Sequence, residues 1–378
     1  MTIGGNLVKS DANTISKKGR AIENSENGTS AAPHETAGSK GSAMNSVKKV
    51  TSTEVLLDLY SKMLRIRRFE EAALVQYQKQ AIGGFCHLYI GQEAVCVGAL
   101  SGLQKGDKVL TAYRDHGHAL AMGMTADSLM AELFGKATGC SKGKGGSMHF
   151  FSKELGFLGG NGIVGSHVPV ATGVAFAQKY RGEKNVTLVF FGDGAAQQGA
   201  VHEAMNLAGL WRLPVIFIIE NNRYGMGTSV ERSSAVIELY QRAAAYNFAG
   251  VTCNGMDVLD VMEKTSAAIS VARSLNTPTL IEAKTYRYRG HSMSDPDKYR
   301  TKAEVDQEKK NDPILMLKAD LMERGYDAAK LQQIDDDAKA EAHKSVEFSA
   351  ASPDPDIAEL TTDMYSNPWD KSLLPRTE

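Results

Sequence analysis

The chain is expected to fold as an α/β protein whose mostly parallel sheet carries helices on both faces. Strand-length runs rich in apolar and β-branched residues recur near 108–113, 186–191, 215–219 and 279–286. Between and around them lie longer stretches with apolar residues at helical spacing, the alternation that builds parallel sheets. The clearest unit is 186–224: a buried-strand run, Gly192-Asp193-Gly194, an Ala-rich helix pattern, a second apolar strand, then Asn221-Asn222-Arg223-Tyr224. A strand, helix and strand of this size form a right-handed crossover, which places Asp193 and Asn222 at neighbouring strand tips on the carboxyl edge of the sheet.

The remaining elements follow in order. Residues 1–46 are rich in Ser, Ala, Gly, Asn and Lys and nearly free of large apolar side chains, so they are expected to be a disordered tail. Thr51 and Glu54 make a capping-box pattern ahead of an amphipathic helix running to about Gln80. Gly-rich stretches at 83–91, 139–147 and 156–166 alternate with helix patterns, one helix beginning near Pro169. Helical charge patterns over 302–326 and 329–348 lead into a Pro-containing C-terminal arm. The expected division is a tail (1–46), one domain (47–350) and an arm (351–378) that packs on the domain or a partner.

Composition removes several function classes. Of 378 residues, 42% are hydrophobic and the formal net charge is −1, so nothing global points to nucleic acid or an acidic membrane. No apolar run approaches a membrane span, and a soluble protein is expected. Cys86, Cys96, Cys140 and Cys253 lack metal spacing and read as reduced thiols of a cytosol-like compartment. Acidic residues at Asp11, Glu23, Glu26 and Glu35 argue against a transit peptide.

The paired carboxylate and carboxamide carry the chemistry. Hard oxygen donors with few charges suit Mg²⁺, which shares its shell with phosphate oxygens. Gly194 lets backbone approach closely, and the helix expected behind it offers free N–H groups to an anion. Gly143-Lys144-Gly145-Gly146-Ser147 lacks Walker A spacing and reads as close backbone packing or a mobile loop. Gly159–Gly165 reads either as a tight turn or as backbone that meets a flat heterocycle. His87 and His291 sit in loops, where functional residues concentrate, while His34, His202 and His343 read as structural or exposed. Arg114, at a strand tip, is placed to grip a phosphate oxygen, with surface ion pairing as the bland alternative.

Five segments, Gly84–Ala94, Thr111–Gly117, Lys142–His149, Glu220–Thr228 and Tyr286–Pro296, resemble in order the alpha-subunit family of the decarboxylating component of pyruvate dehydrogenase complexes. The resemblance spans roughly 50–350 and implies a thiamine diphosphate-binding fold. Branched-chain 2-oxo acid and acetoin relatives, which differ after Asn222 and around His291, are the alternative. By resemblance, Asp193, Asn222 and the carbonyl of Tyr224 hold Mg²⁺, while Gly194, Ala195, Tyr113 and Arg114 contact the diphosphate. Gly162 and Val164 match contacts to the aminopyrimidine, Met226 the apolar wedge under the cofactor, and Ser152 a weaker contact. His87 and His291 match histidines that face the cofactor and the 2-oxo acid.

The pyrimidine-binding layer and its glutamate are expected from a separate beta chain, in an assembly of two alpha and two beta chains. A lipoyl-bearing dihydrolipoamide acetyltransferase is the further partner. The bacterial cytoplasm is the expected location, with the mitochondrial matrix as alternative. Ser229 and Ser292 match serines phosphorylated in some relatives, against the plainer reading of ordinary loop serines.

Overall fold

The computed structural model describes residues 51–363. The tail expected over 1–46 and the end of the C-terminal arm, 364–378, lie outside the described residues. In chain order the helices are α1 (Thr53–Gln78), α2 (Glu93–Leu100), α3 (His116–Ala121), α4 (Ala126–Leu133), α5 (His167–Tyr180), α6 (Gly199–Trp211), α7 (Val230–Ser233), α8 (Val258–Leu275), α9 (Lys302–Glu308), α10 (Pro313–Glu323) and α11 (Ala328–Ala351). The strands are β1 (Lys108–Ala112), β2 (Phe157–Asn161), β3 (Thr187–Gly192), β4 (Val215–Asn221), β5 (Tyr224–Gly225), β6 (Thr228–Ser229), β7 (Ala249–Asn254) and β8 (Thr279–Lys284). Six of them form one sheet, ordered β2-β1-β3-β4-β8-β7, in which every pairing is parallel.

Alternation along the central strands divides the core into two layers. Leu188, Phe190, Ile216 and Ile218 pack on one face with α1, α2 and α8, whereas Val189, Phe191, Phe217 and Ile219 pack on the other with α5 and α6. Both faces are therefore covered, which explains why β3 and β4 read as continuous apolar runs. Asp193 directly follows β3 and Asn222 directly follows β4, whose ladder pairs Gly192 with Glu220.

The structure departs from the sequence expectations at several boundaries. Ser52, not Thr51, caps α1, its hydroxyl accepting Val55 N–H, because the helix begins one residue later than the box pattern implies. The helix after Asp193 is interrupted: a 3₁₀ turn, Ala195–Gln197, precedes an extended Gln198, and α6 starts only at Gly199. Any anion near Gly194 thus meets the 3₁₀ turn rather than the end of α6. The pattern over 302–326 breaks at Asp312, which caps α10 ahead of Pro313, a residue that cannot donate to a continuing helix. Edge strands β2 and β7 carry no clear sequence signal, because Gly159-Gly160 and Ala249-Gly250 lack the apolar signature of a buried strand.

Candidate active site at the carboxyl edge of the sheet

A cavity of about 260 Å³ opens where β1, β3 and β4 end. Its wall combines Tyr113 and Arg114 beyond β1, Val164 ahead of α5, Asp193, Gly194 and Ala195 beyond β3, Asn222, Tyr224 and Met226 beyond β4, and His291. His87 is placed just behind: its ring lies 4.6 Å from Tyr113 and 5.4 Å from His291, centroid to centroid. Gly162 and Ser152 are not part of the wall. Gly162 sits beside His149, and Ser152 belongs to a turn in which it bridges Phe157 and accepts Leu155 N–H.

The oxygens of Asp193, Asn222 and Tyr224 are brought together by backbone. Gly194 and Gly225 approach so closely that a Cβ on Gly194 would stand 3.2 Å from the Gly225 Cα, which lets the β5–β6 hairpin fold back over Asp193. Met226 turns this hairpin at φ 57°, a left-handed conformation that costs a non-glycine residue about 1–2 kcal/mol. Such strain is held by surrounding structure and is frequent at working sites. Asn222 is oriented by its Nδ2, which donates to Gln92 Oε1 at 3.0 Å, leaving Oδ1 toward the cavity.

Arg287 is the cation that the Asn222 and Tyr224 oxygens meet. Its Nη1 donates to Asn222 Oδ1 at 3.1 Å and to the Tyr224 carbonyl at 3.2 Å, while Nη2 donates to Tyr299 Oη at 2.8 Å. Asp193 Oδ2 is buried and has no hydrogen-bond partner among the described residues. Burial lifts the Asp193 carboxyl to about 6, and the nearby Arg287 charge only partly offsets this. An under-satisfied buried carboxylate beside a carboxamide and a carbonyl forms a hard-oxygen set suited to a cation. Among the described residues no cluster of three or more His, Cys, Asp or Glu forms a metal site.

The histidine side of the cavity is held by Arg114. Its Nη1 donates to the Leu88 carbonyl and its Nη2 to the His291 carbonyl, each at 2.7 Å, which leaves further N–H groups of the fork at the cavity wall. One guanidinium thereby ties the two histidine-bearing loops. Burial and the Arg287 charge lower the Arg114 group to about 10, so it stays cationic. Burial, then the Arg114 charge, drives His87 to about 2 and His291 to about 4. Both rings are neutral at neutral pH and present nitrogens without a buried charge.

The Gly-rich loop after α4 has its own anion. The buried carboxylate of Glu132 accepts the N–H groups of Ser141, Gly143, Gly145 and Gly146 at 2.7–3.1 Å. The close-packing reading of this loop holds, and a phosphate has no place there. A larger cavity of about 480 Å³ lies beside β4, β7 and β8. Its carboxylates are already engaged: Glu282 by Asn221 and Tyr240, Glu238 by Lys284, Glu308 by Arg223. The smaller cavity is the one with under-satisfied polar groups. His202 meets Tyr246 at 2.5 Å and His343 is exposed, as expected of structural and surface histidines. Cys86, Cys96, Cys140 and Cys253 are free thiols.

Two residues not singled out by the sequence reading also bear on the site. Arg287, in the loop after β8, reaches Asn222 65 positions away, and Gln92, ahead of α2, reaches Asn222 130 positions away, although both lie in segments that carry the family resemblance.

The chain matches the family model described as dehydrogenase E1 component over residues 61–358. A protein of Rhizobium meliloti named pyruvate dehydrogenase E1 component subunit alpha is 53% identical over 315 residues, covering 83% of this chain and 90% of that protein. The same name belongs to a Zymomonas mobilis protein, 50% identical over 82% of this chain and 88% of its own. A Dictyostelium discoideum protein named as the mitochondrial alpha subunit is 47% identical over 84% of each chain. With a family match over most of its length and such relatives, the chain belongs to the dehydrogenase E1 component family.

Proposed function

We infer that this chain is the alpha subunit of the thiamine diphosphate-dependent, decarboxylating component of a pyruvate dehydrogenase complex. The observation that carries the reading is near-half identity, over most of the length of each partner, to several proteins that bear that name. The chain is an oxidoreductase subunit acting in oxidative decarboxylation of pyruvate, with transfer of the acetyl unit to a lipoyl group. When bound, thiamine diphosphate supplies the nucleophilic carbon that adds to the 2-oxo acid carbonyl and accepts the electron pair released with CO₂.

The residues here bind and orient. Asp193, Asn222 Oδ1 and the Tyr224 carbonyl are proposed to hold Mg²⁺, a reading supported by the convergence of the last two on the Arg287 guanidinium and by the unpartnered Asp193 Oδ2 in the same cavity wall. The N–H groups of Gly194 and Ala195, at the start of the 3₁₀ turn, are proposed to meet the diphosphate, with the side chains of Tyr113 and Arg114 beside them. Met226, Val164 and Gly162 are assigned to the cofactor's rings, and Ser152 to a peripheral contact. His87 and His291, kept neutral by burial, are proposed to orient the 2-oxo acid through uncharged ring nitrogens.

A beta subunit belongs to this assembly. Exposed apolar side chains at and beside the cavity mouth, Phe85 at 62%, Ile163 at 73% and Met226 at 66%, support a partner that covers it. Two alpha and two beta chains, a lipoyl-bearing dihydrolipoamide acetyltransferase, a bacterial cytoplasmic setting and a single thiamine diphosphate-binding domain over 47–350 complete the proposal. The test is a side-by-side assay, with the beta chain, of pyruvate, 2-oxoisovalerate and acetoin. Pyruvate should be turned over fastest; preference for either of the others would overturn the substrate assignment.

A further inference from the structure

Behind His87 runs a chain of polar groups that the cavity wall does not include. Glu70, on α1, is fully buried; its carboxylate accepts Tyr89 N–H at 2.9 Å and lies 3.1 and 3.2 Å from His116 Nδ1. His116 Nε2 is 2.9 Å from Ser147 Oγ and 3.1 Å from the Ser147 carbonyl. Ser147 Oγ in turn accepts the backbone N–H of His87 at 3.1 Å. Phe150 stacks on the His116 ring with centroids 5.1 Å apart, and Phe69 closes its edge. Glu70, His116 and Ser147 are 0%, 0% and 4% exposed, so water cannot replace any link.

We propose that Ser147, oriented by His116 and Glu70, is a positioning residue that fixes the main chain at His87 and so aims the His87 ring into the cavity. This rests on the assignment of His87 to the reacting end of the site. Ser147 is well placed for the task, because its own backbone is set by the loop that Glu132 organises immediately before it. A Glu-His-Ser series usually suggests a nucleophile, but this serine is enclosed and its oxygen is taken up by a main-chain donor. With the serine oxygen gone, His87 N–H is buried without an acceptor and the loop relaxes to find one. A shift near 1 Å at a reacting group costs on the order of tenfold to a hundredfold in rate.

The test uses the full chain assembled with its beta subunit and reads a mutant cycle of Ser147→Ala and His87→Ala. Ser147→Ala should lower kcat/KM for pyruvate about tenfold or more, with thiamine diphosphate affinity within about twofold, as expected of a group that positions rather than binds. On the His87→Ala background the same change should cost less than about twofold, because its effect runs through His87. Amide exchange at His87 should accelerate in Ser147→Ala while the Tyr89 amide, held by Glu70, stays protected. Equal losses on both backgrounds, or an unchanged His87 exchange rate, would overturn the proposal. If Ser147→Ala does not fold, Ser147→Cys fills the same space and is read by the same cycle. Should the wild-type assembly not act on pyruvate, the substrate assignment fails, while the exchange arm still decides whether Ser147 holds His87.

Discussion

Arg114 and the two histidines show how charge is distributed at the level of single residues. Burial, and after it a guanidinium within reach of both rings, makes the imidazolium forms unfavourable, so His87 and His291 titrate below their usual value. The unfolded chain, with ordinary histidines near 6.5, then binds more protons than the folded one as pH falls below that value. Stability from these rings is present at neutral pH and is lost progressively from about 6.5 down to about 4 for His291 and about 2 for His87. A His291→Gln variant should therefore lose less thermal stability than the parent between pH 7 and pH 5, as followed by the unfolding midpoint. An equal or larger loss in the variant would contradict the assigned direction. At the same scale, Arg114→Lys keeps the charge but not the fork that spans the Leu88 and His291 carbonyls, so turnover should fall about tenfold or more with the metal site intact. A near-normal kcat in Arg114→Lys would show that charge alone suffices. Arg114 was legible as a strand-tip cation, yet its actual partners were not: they lie 26 and 177 positions away and are main-chain carbonyls, which no side-chain pattern encodes.

At the level of elements, β3 and β4 were readable because both faces are buried and the apolar runs are unbroken; the tips bearing Asp193 and Asn222 followed from that. The edge strands and the break before α6 were not, since edge pairing and a one-residue extended kink at Gln198 depend on neighbours rather than on local preference. The loop from Ser141 to Gly146 is the informative case. Its glycines resemble a phosphate loop, but its N–H groups close on the protein's own carboxylate, a distinction set by Glu132 on α4, nine to fourteen positions before the donating residues. Removing that acceptor leaves several buried donors unpaired, so Glu132→Ala should destabilise the folded chain by about 3–5 kcal/mol. Chemical denaturation of the assembled protein measures this, and a midpoint within error of the parent would show that the loop does not depend on Glu132.

Among the described residues a six-stranded parallel sheet bears the candidate site on its carboxyl edge, with apolar groups left at the cavity mouth. Among the described residues no helix is long and apolar enough to cross a membrane. A site finished by another chain predicts that the purified single chain turns over pyruvate at a small fraction of the rate of the mixture with the beta subunit. Comparable rates would mean that this chain is self-sufficient. The central claim is that oxygens of Asp193, Asn222 and Tyr224 hold a divalent cation on which the diphosphate docks. Calorimetric titration of thiamine diphosphate into the assembled alpha and beta chains tests it most directly, run with Mg²⁺, with chelator, and with Asp193→Ala. The expected result is saturable binding that chelator abolishes and that Asp193→Ala weakens at least about a hundredfold, as loss of a charged ligand requires; cofactor affinity unchanged by both would mean that no cation is held there.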